Sequence, residues 1–257
     1  MKTPVLDVDT QGSLLSPTSY WEAGEVIIRS LPRAISMQGD RGFRSISSCI
    51  YGGGLQTTQY IGNFQVERSY RSMEPEKDLQ DRFKEVGVPE EKMPLAAGFL
   101  TAASVLDAGW EVRTGEQWEL LTCVSVGTAN SVRIPMAASD DLNRSYSPGT
   151  INIITLIAGV VRPEALVGGV ITATEAKTAA LYDLNIRVSD GRHATGTSTD
   201  AILLGSTQRA LVRHRSLDDE KPMNEIQYAG LATTFGQALG SAVYNAVLHA
   251  GTRYLRR

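Results

Sequence analysis

The chain has 257 residues, of which 42% are hydrophobic and 21% are charged. This balance is typical of a globular protein and excludes wholesale disorder and collagen-like structure. The formal net charge of −3 lacks the positive surplus that binds a phosphate backbone, so we expect no nucleic-acid partner. Two distant cysteines, Cys49 and Cys123, form neither a disulfide framework nor a zinc cluster and favour a reducing compartment.

Nothing in the N-terminal residues has the apolar core of a signal peptide. The most apolar stretch, 151–174, is interrupted by Arg162 and Pro163, whereas a membrane span needs about 20 uninterrupted apolar residues. We therefore expect a cytoplasmic protein without a membrane partner. The whole chain is expected to form one domain, with residues 1–24 as an extension.

Strand-like runs dominate the first half of the chain. Residues 35–38 and 43–50 are β-rich and flank residues 39–42, whose Gly-Asp-Arg-Gly sequence suits a hairpin turn. Residues 110–113 and 118–126 flank a second turn signal. These patterns predict two hairpins.

Helical patterns follow at residues 78–86, 163–183 and 234–254, and residues 94–106 fit either a helix or a buried segment. The continuous apolar run at 151–158 predicts a buried strand. Strands are interspersed with helices without strict alternation. This order favours an α+β fold: a layered α/β sandwich with a mixed sheet, a long central helix and a C-terminal helix.

The central helix carries an ammonium group within its apolar stripe. On a helical wheel that starts at Leu166, Lys177 falls within about 40° of the stripe, whereas Glu175 lies on the opposite face. Because burying an unpaired charge is costly, two interpretations stay open. Either Lys177 reaches past the sheet edge to solvent, or it neutralises a buried carboxylate, for which Asp200 is the nearest candidate in sequence. For Glu175 the pattern favours a solvated face or a salt bridge.

Four polar segments adjoin the ends of predicted elements, at residues 52–54, 127–130, 149–152 and 194–200. Their glycines let the backbone approach a ligand, and exposed N–H groups there can bind oxyanions. The segment 194–200 adds several hydroxyls and a carboxylate that could orient a substrate amide or a water. The same residue types also favour ordinary turns and caps.

No common nucleotide, metalloprotease or nucleophile-elbow motif occurs in the chain. Of the three histidines, His193 adjoins the 194–200 segment and could act as a base. His214 lies in a charged loop and is expected to be solvated, and His249 borders the apolar stripe of the last helix and is expected to be a core residue. Three scattered histidines do not support a zinc site.

Three blocks of the second half resemble the adenosylcobinamide amidohydrolase family. They are Pro148–Ile153, the helix segment 165–181 with the run ITATEAKTAAL, and Ala194–Ile202 with the run ATGTSTDAI. They occur in the order and spacing of the family. Upstream, Gly52–Gly54 resembles the family's glycine-rich N-terminal block. The resemblance covers roughly residues 30–250.

The resemblance implies hydrolysis of the amide that joins a propionyl side chain of the corrin ring to aminopropanol. The products would be adenosylcobyric acid and 1-aminopropan-2-ol, which serves salvage of incomplete corrinoids for coenzyme B12 synthesis. The cobalt belongs to the corrinoid substrate, so we expect no cofactor and no metal of the protein's own. The partner would be this small molecule, and a homo-oligomer is allowed.

Amide hydrolysis needs an activated nucleophile and a stabilised oxyanion. We expect Asp200 or Glu175 to activate water, Lys177 to tune a carboxylate or donate to the carbonyl, and loop N–H groups to hold the oxyanion. The expected catalytic residues are Asp200, Lys177, Glu175 and Thr197. The expected substrate-binding residues are Gly52, Gly53, Gly54, Asn130, Thr150, Asn152, Thr195, Gly196, Ser198 and Thr199.

Two alternatives stay open. In the first, the chain cleaves itself between Gly149 and Thr150 and uses Thr150 as an N-terminal nucleophile whose own amine is the base. In the second, the chain binds a corrinoid through the same loops but leaves it unchanged. We expect all four polar segments to meet around a single cleft covered by the helix that starts at Pro163.

Overall fold

The computed structural model describes residues 3–136, 149–211 and 225–257. The α-helices of these residues are α1 (Pro75–Glu85), α2 (Pro163–Asp183) and α3 (Thr234–Leu255). The strands are β1 (Thr18–Trp21), β2 (Val26–Leu31), β3 (Ala34–Ser47), β4 (Gly54–Gln65), β5 (Ala96–Thr101), β6 (Gly109–Thr114), β7 (Glu119–Val126), β8 (Ser131–Val132), β9 (Ile151–Ala158), β10 (Gly196–Thr197) and β11 (Ala201–Ser206). Short 3₁₀ helices span Glu90–Leu95 and Val105–Asp107.

One mixed sheet contains most of these strands. Its order is β1-β2-β3-β11-β9-β7-β6, and β4 pairs with the other side of β3 and carries β5 on its own far edge. The pairs β9–β11 and β4–β5 are parallel, whereas the other pairs of this sheet are antiparallel. Strand β3 therefore joins two parts of the sheet that meet across a shared core.

The core lies on both faces of β9, because successive side chains of a strand point in opposite directions. Ile153 packs in the layer formed with helices α2 and α3. Ile154 packs on the other face with Ile61 of β4 and Phe99 of β5. Every residue of β9 is buried, which explains the continuous apolar run in its sequence.

The small residues of α3 allow the helix to lie close to the sheet. Ala242 and Ala246 are fully buried, and a Cβ on Gly109 of β6 would lie 2.0 Å from the Ala246 carbonyl oxygen. Helix α2 packs beside α3 on the same face of the sheet. In the part of the chain that the structure describes, no helix is long and apolar enough to span a membrane.

The predicted α+β class, with its mixed sheet, central helix and C-terminal helix, is confirmed. The hairpin predicted within residues 110–126 is the antiparallel pair β6–β7. The predicted helices correspond to α1, α2 and α3, and the predicted strand at 151–158 is β9. Both cysteines are free and buried.

One prediction of local structure is wrong. Residues 39–42 do not form a hairpin turn, because β3 runs through them with an irregularity between Gln38 and Phe43 and pairs with β4 on both sides of it. For residues 94–106 the alternative of a buried segment is the one observed, because residues 96–101 form the largely buried strand β5 in parallel pairing with β4. Within the predicted N-terminal extension, residues 18–21 form β1 and pair with β2.

Candidate active site

A cavity of about 410 Å³ lies at the N-terminal ends of the parallel strands β9 and β11; we call it the Thr150 cavity. Its polar lining residues are Ser48, Tyr70, Ser72, Thr101, Thr150, Asn152, Thr199 and Asp200. The remaining lining residues are Ile50, Val66, Pro75, Phe99, Leu100, Ala102, Gly149 and Ala201. Cavities of this size and mixed lining are typical of small-molecule sites.

The register of β9 and β11 brings two of the family-like blocks together at this cavity. Asn152 lies opposite Ala201 in the parallel pair, so the residues just before each strand become neighbours. Thr150 donates from Oγ1 to the Thr199 carbonyl oxygen at 2.7 Å. Thr199 donates from Oγ1 to the Gly149 carbonyl oxygen at 2.8 Å. Residues about 50 positions apart thus form one hydrogen-bonded unit.

The short pair β8–β10 brings a third segment to the same place. Ser131 and Val132 pair antiparallel with residues 196–197. This pairing places the Asn130 side-chain amide, at Nδ2, 2.7 Å from Ser198 Oγ, to which it donates. The segments around 130, 150 and 197 therefore meet as predicted, although no residue of 127–130 lines the cavity.

Asp200 holds the site together through both of its carboxylate oxygens. Lys177 of α2 donates from Nζ to Oδ2 at 2.5 Å, and the two side chains are only 8% and 14% exposed. The Thr197 backbone N–H also donates to Oδ2, at 3.0 Å. Oδ1 accepts from Thr197 Oγ1 at 2.5 Å and from the Ile151 N–H at 3.1 Å.

This ion pair settles the interpretation of Lys177, which neutralises a buried carboxylate. Gly196 makes the close approach possible, because a Cβ there would lie 2.5 Å from Asp200 Oδ2 and 2.7 Å from Lys177 Nζ. A carboxylate has about four lone-pair sites, and the four donors occupy them. Through these hydrogen bonds Asp200 fixes the 196–200 turn and the start of β9.

A chain of buried amides and hydroxyls extends from Thr150 into the core. Thr150 Oγ1 lies 3.2 Å from Asn152 Oδ1, and Asn152 Nδ2 donates to Asn63 Oδ1 at 2.9 Å. Asn63 Nδ2 in turn donates to Ser125 Oγ at 2.9 Å. Because buried polar groups are costly unless paired, this chain fixes the position of the Thr150 end of β9.

Asn63 was not predicted as a site residue. It is fully buried within β4, in a run that otherwise supplies core residues such as Ile61 and Phe64. An amide in the middle of an apolar strand is the signal that could have identified it. Its partner could not have been inferred, because β4 and β9 are not neighbours in the sheet.

Tyr70 contributes a neutral hydroxyl to the cavity wall. It donates to Asp78 Oδ2 of α1 at 2.6 Å. Desolvation, together with that hydrogen bond, raises the pKa of Tyr70 to about 12. The phenol therefore stays protonated near neutral pH and ties the segment between β4 and α1 to the helix.

Other predicted residues lie outside the cavity. Glu175 is exposed on the face of α2 opposite Lys177 and does not line the cavity, so its catalytic role stays a prediction. The Gly52–Gly54 turn does not line the cavity either: a Cβ on Gly52 would lie 2.0 Å from the Ala96 carbonyl oxygen, so its close contact is with β5. The neighbouring Ser48 and Ile50 do line the cavity. Helix α2 supplies Lys177 but does not cover the cavity.

Within the 194–200 segment, only Thr199 and Asp200 line the cavity. Thr195 holds the segment in place, since its carbonyl oxygen accepts from Thr178 Oγ1 and its Oγ1 accepts from the Ile134 N–H. Ser198 is exposed and bound to Asn130. These residues shape the turn that presents Thr199.

The histidines are away from the Thr150 cavity. His193 stacks on Tyr182 with ring centroids 4.1 Å apart. Desolvation, with the charges of Arg187 and Arg133, lowers the pKa of His193. His249 lies at a second cavity of about 1010 Å³, which contains none of the family-like blocks. His214 lies outside the described residues. No group of three or more His, Cys, Asp or Glu side chains within the described ranges could hold a metal ion.

Comparison with known proteins points to the same family as the three sequence blocks. A family model described as adenosylcobinamide amidohydrolase matches residues 22–257. A Methanosarcina mazei protein named adenosylcobinamide amidohydrolase is 27% identical over 219 residues, which cover 84% of this chain and 92% of that protein.

Two solved structures show a distant likeness. The PH0078 protein from Pyrococcus horikoshii OT3 is 11% identical with a TM-score of 0.44, covering 100% of this chain and 89% of that one. The L-aminopeptidase D-Ala-esterase/amidase from Ochrobactrum anthropi is 12% identical with a TM-score of 0.37, covering 97% and 88%.

The family match extends over most of the chain and defines it as an amidohydrolase, a hydrolase that acts on amide bonds. The chain belongs to the adenosylcobinamide amidohydrolase family. The resemblance drawn from the sequence is thereby confirmed.

Proposed function

We propose that the chain hydrolyses the amide between a corrin propionyl side chain and aminopropanol in adenosylcobinamide. The products are adenosylcobyric acid and 1-aminopropan-2-ol, and the reaction serves salvage of incomplete corrinoids for coenzyme B12 synthesis. The observation that carries the proposal is the convergence of Gly149–Asn152 and Thr199–Ala201 on one cavity. These are residues of the blocks that resemble the family.

The size of the Thr150 cavity suits the side arm of the substrate rather than the whole corrinoid. At about 30 Å³ per water-sized group, its volume of about 410 Å³ takes on the order of a dozen such groups. The propionyl-aminopropanol arm has about nine non-hydrogen atoms and would fit on this measure. The corrin ring would then remain outside, with Ile50, which is 48% exposed, at the opening.

The lining offers partners for each part of that arm. Val66 and Phe99 offer apolar surface to its methylene groups, and Ser48 and Ser72, which carry hydroxyls, line the same space. These hydroxyls can pair with the aminopropanol hydroxyl and the amide, whose burial without partners would be costly. The mixed lining therefore favours an amphipathic arm over a purely apolar ligand.

Asp200, Lys177 and Thr197 act as positioning residues in this proposal. The Asp200 carboxylate binds the N–H groups of Ile151 and Thr197, so it fixes the two backbone segments that present Thr150 and Thr199. Lys177 balances its charge inside the protein. Loss of either charge should displace the reacting groups, and displacements of about 1 Å are known to cost about 10²-fold in rate.

The test is product analysis after the purified chain is mixed with adenosylcobinamide, with and without a chelator. We expect adenosylcobyric acid and 1-aminopropan-2-ol in equal amounts, and a rate at least ~10²-fold lower for Asp200→Asn. Thr174→Ala is the matched control, because its hydroxyl donates only to Val170 on the exposed face of α2. Binding of adenosylcobinamide without either product would refute hydrolysis and favour a corrinoid-binding protein.

A further inference from the structure

We infer that the chain cleaves its own peptide bond between Gly149 and Thr150, and that the resulting N-terminal Thr150 is the nucleophile toward the substrate amide. The second half of this inference rests on the proposed function. The observation that carries it is that Thr199 binds both groups that would react. Its carbonyl oxygen accepts from Thr150 Oγ1 at 2.7 Å, and its own hydroxyl donates to the Gly149 carbonyl oxygen at 2.8 Å.

These two hydrogen bonds suit an attack of the Thr150 hydroxyl on the preceding carbonyl carbon. The first fixes the rotamer of the hydroxyl next to the bond. The second polarises the carbonyl and would stabilise the negative charge that develops on its oxygen. Both have ordinary lengths for hydroxyl donors. Thr150 is only 5% exposed, so the bond is also shielded from bulk water.

The peptide at Gly149 is tightly enclosed by the third segment of the site. A Cβ on Gly149 would lie 2.3 Å from Asn130 Oδ1 and 2.8 Å from the Gly127 carbonyl oxygen, so only glycine fits. Asn130 Oδ1 is itself buried and has no hydrogen-bond partner among the described residues. An unpaired buried acceptor is costly. Beside this bond, Asn130 Oδ1 is available to accept from the Thr150 amine that forms when the peptide is cleaved.

The self-cleavage balances with water as its only co-reactant. Thr150 Oγ1 forms a bond to the Gly149 carbonyl carbon, the peptide C–N bond breaks, and the hydroxyl proton moves to the Thr150 nitrogen. The resulting ester is hydrolysed when water adds to the same carbon and returns a proton to Oγ1. The products are a Gly149 carboxylate and a free Thr150 amine.

The amine then provides the base that the intact chain lacks at this position. In the substrate reaction it accepts the Thr150 hydroxyl proton as Oγ1 attacks the amide carbonyl, and it passes the proton to the departing aminopropanol. Water hydrolyses the acyl ester and releases the corrinoid carboxylate. The substrate carbonyl oxygen takes the place of the Gly149 oxygen, so the Thr199 hydroxyl serves both reactions.

The two fragments would stay associated after cleavage. β9 would begin at the new N-terminus, yet it pairs with β7 from the first fragment and with β11 from its own. Cleavage should therefore appear as two smaller masses under denaturing conditions, whereas the native particle keeps its size.

The test is intact mass spectrometry and N-terminal sequencing of the purified chain. We expect fragments 1–149 and 150–257, the second beginning Thr-Ile-Asn, that elute together under native conditions. Thr150→Val, which keeps the shape but removes the hydroxyl, should stay intact and lose at least ~10³-fold in amide hydrolysis. Thr150→Ser should restore part of the cleavage, Thr199→Val should accumulate the precursor, and Thr174→Ala should be cleaved like the wild type.

The outcomes separate this inference from the proposed function. A single uncut wild-type species of 27.8 kDa overturns self-cleavage, whether or not the chain releases aminopropanol. Complete cleavage without hydrolysis of adenosylcobinamide supports self-cleavage and overturns the proposed substrate. Circular dichroism should show that Thr150→Val is folded. A folded but uncut Thr150→Val variant supports Thr150 as the nucleophile.

Discussion

Replacing Lys177 by methionine should destabilise the protein, because it leaves the Asp200 carboxylate buried without its counter-charge. Removing one partner of a buried ion pair costs about 3–5 kcal/mol. Asp200 keeps three donors, from Ile151 and Thr197, so we expect the low end of this range, about 3 kcal/mol. The side chains are 8% and 14% exposed, and solvent screening therefore reduces the effect little.

Urea unfolding at pH 7 measures this loss as a lower midpoint with an unchanged slope. Adding Asp200→Asn to Lys177→Met should recover part of the stability, since it removes the orphaned charge, and the coupling between the two sites should be at least ~1.5 kcal/mol. Glu175→Gln on the opposite face of α2 is the matched control and should change stability by less than about 0.5 kcal/mol. A Lys177→Met variant as stable as the control would refute the buried-pair interpretation.

Three other perturbations test separate parts of the account. Asn63→Ala should lower the free energy of unfolding by about 1–3 kcal/mol, because Asn152 and Ser125 each lose a buried partner; an unchanged urea midpoint would argue against the polar chain. Tyr70→Phe removes the hydroxyl that holds Asp78 and should raise KM for adenosylcobinamide more than it lowers kcat, and an unaltered KM would count against this wall of the cavity. Desolvation lowers the pKa of His249 below 6.5, so the unfolded chain binds its proton first and stability should fall as pH drops from 7.5 to 5.5. In the His249→Gln variant the urea midpoint should fall less between pH 7.5 and pH 5.5. A midpoint that falls as much as in the wild type would contradict this explanation.

Helical periodicity is enough to identify Lys177 as a buried cation, but it does not identify the whole site to which Lys177 belongs. A period of 3.6 residues fixes which face of α2 is buried, so an ammonium on that face requires a buried partner. The sequence distance to Asp200 made the pairing a reasonable prediction, and the same wheel placed Glu175 on the exposed face. The catalytic role expected for Glu175 does not follow from the wheel.

Local patterns failed where tertiary pairing decides the structure. The glycines at 39–42 favour a turn, yet β3 continues because β4 pairs with it on both sides of the irregularity. Tyr70 and Ser48 reach the cavity, and Asn63 reaches Asn152 beside it, from segments that meet only through pairs such as β4–β5 and β3–β11. No periodicity within one segment encodes such a contact between strands distant in sequence.

The most direct measurement of the central claim is the rate of 1-aminopropan-2-ol release by two variants that each fill one cavity. Ala102→Trp places an indole in the Thr150 cavity, and Ala23→Trp does so in the larger cavity beside His249. With both variants folded by circular dichroism, we predict a loss of at least ~10²-fold for Ala102→Trp and a near wild-type rate for Ala23→Trp. Full activity of Ala102→Trp, with loss in Ala23→Trp, would contradict the assignment of the site.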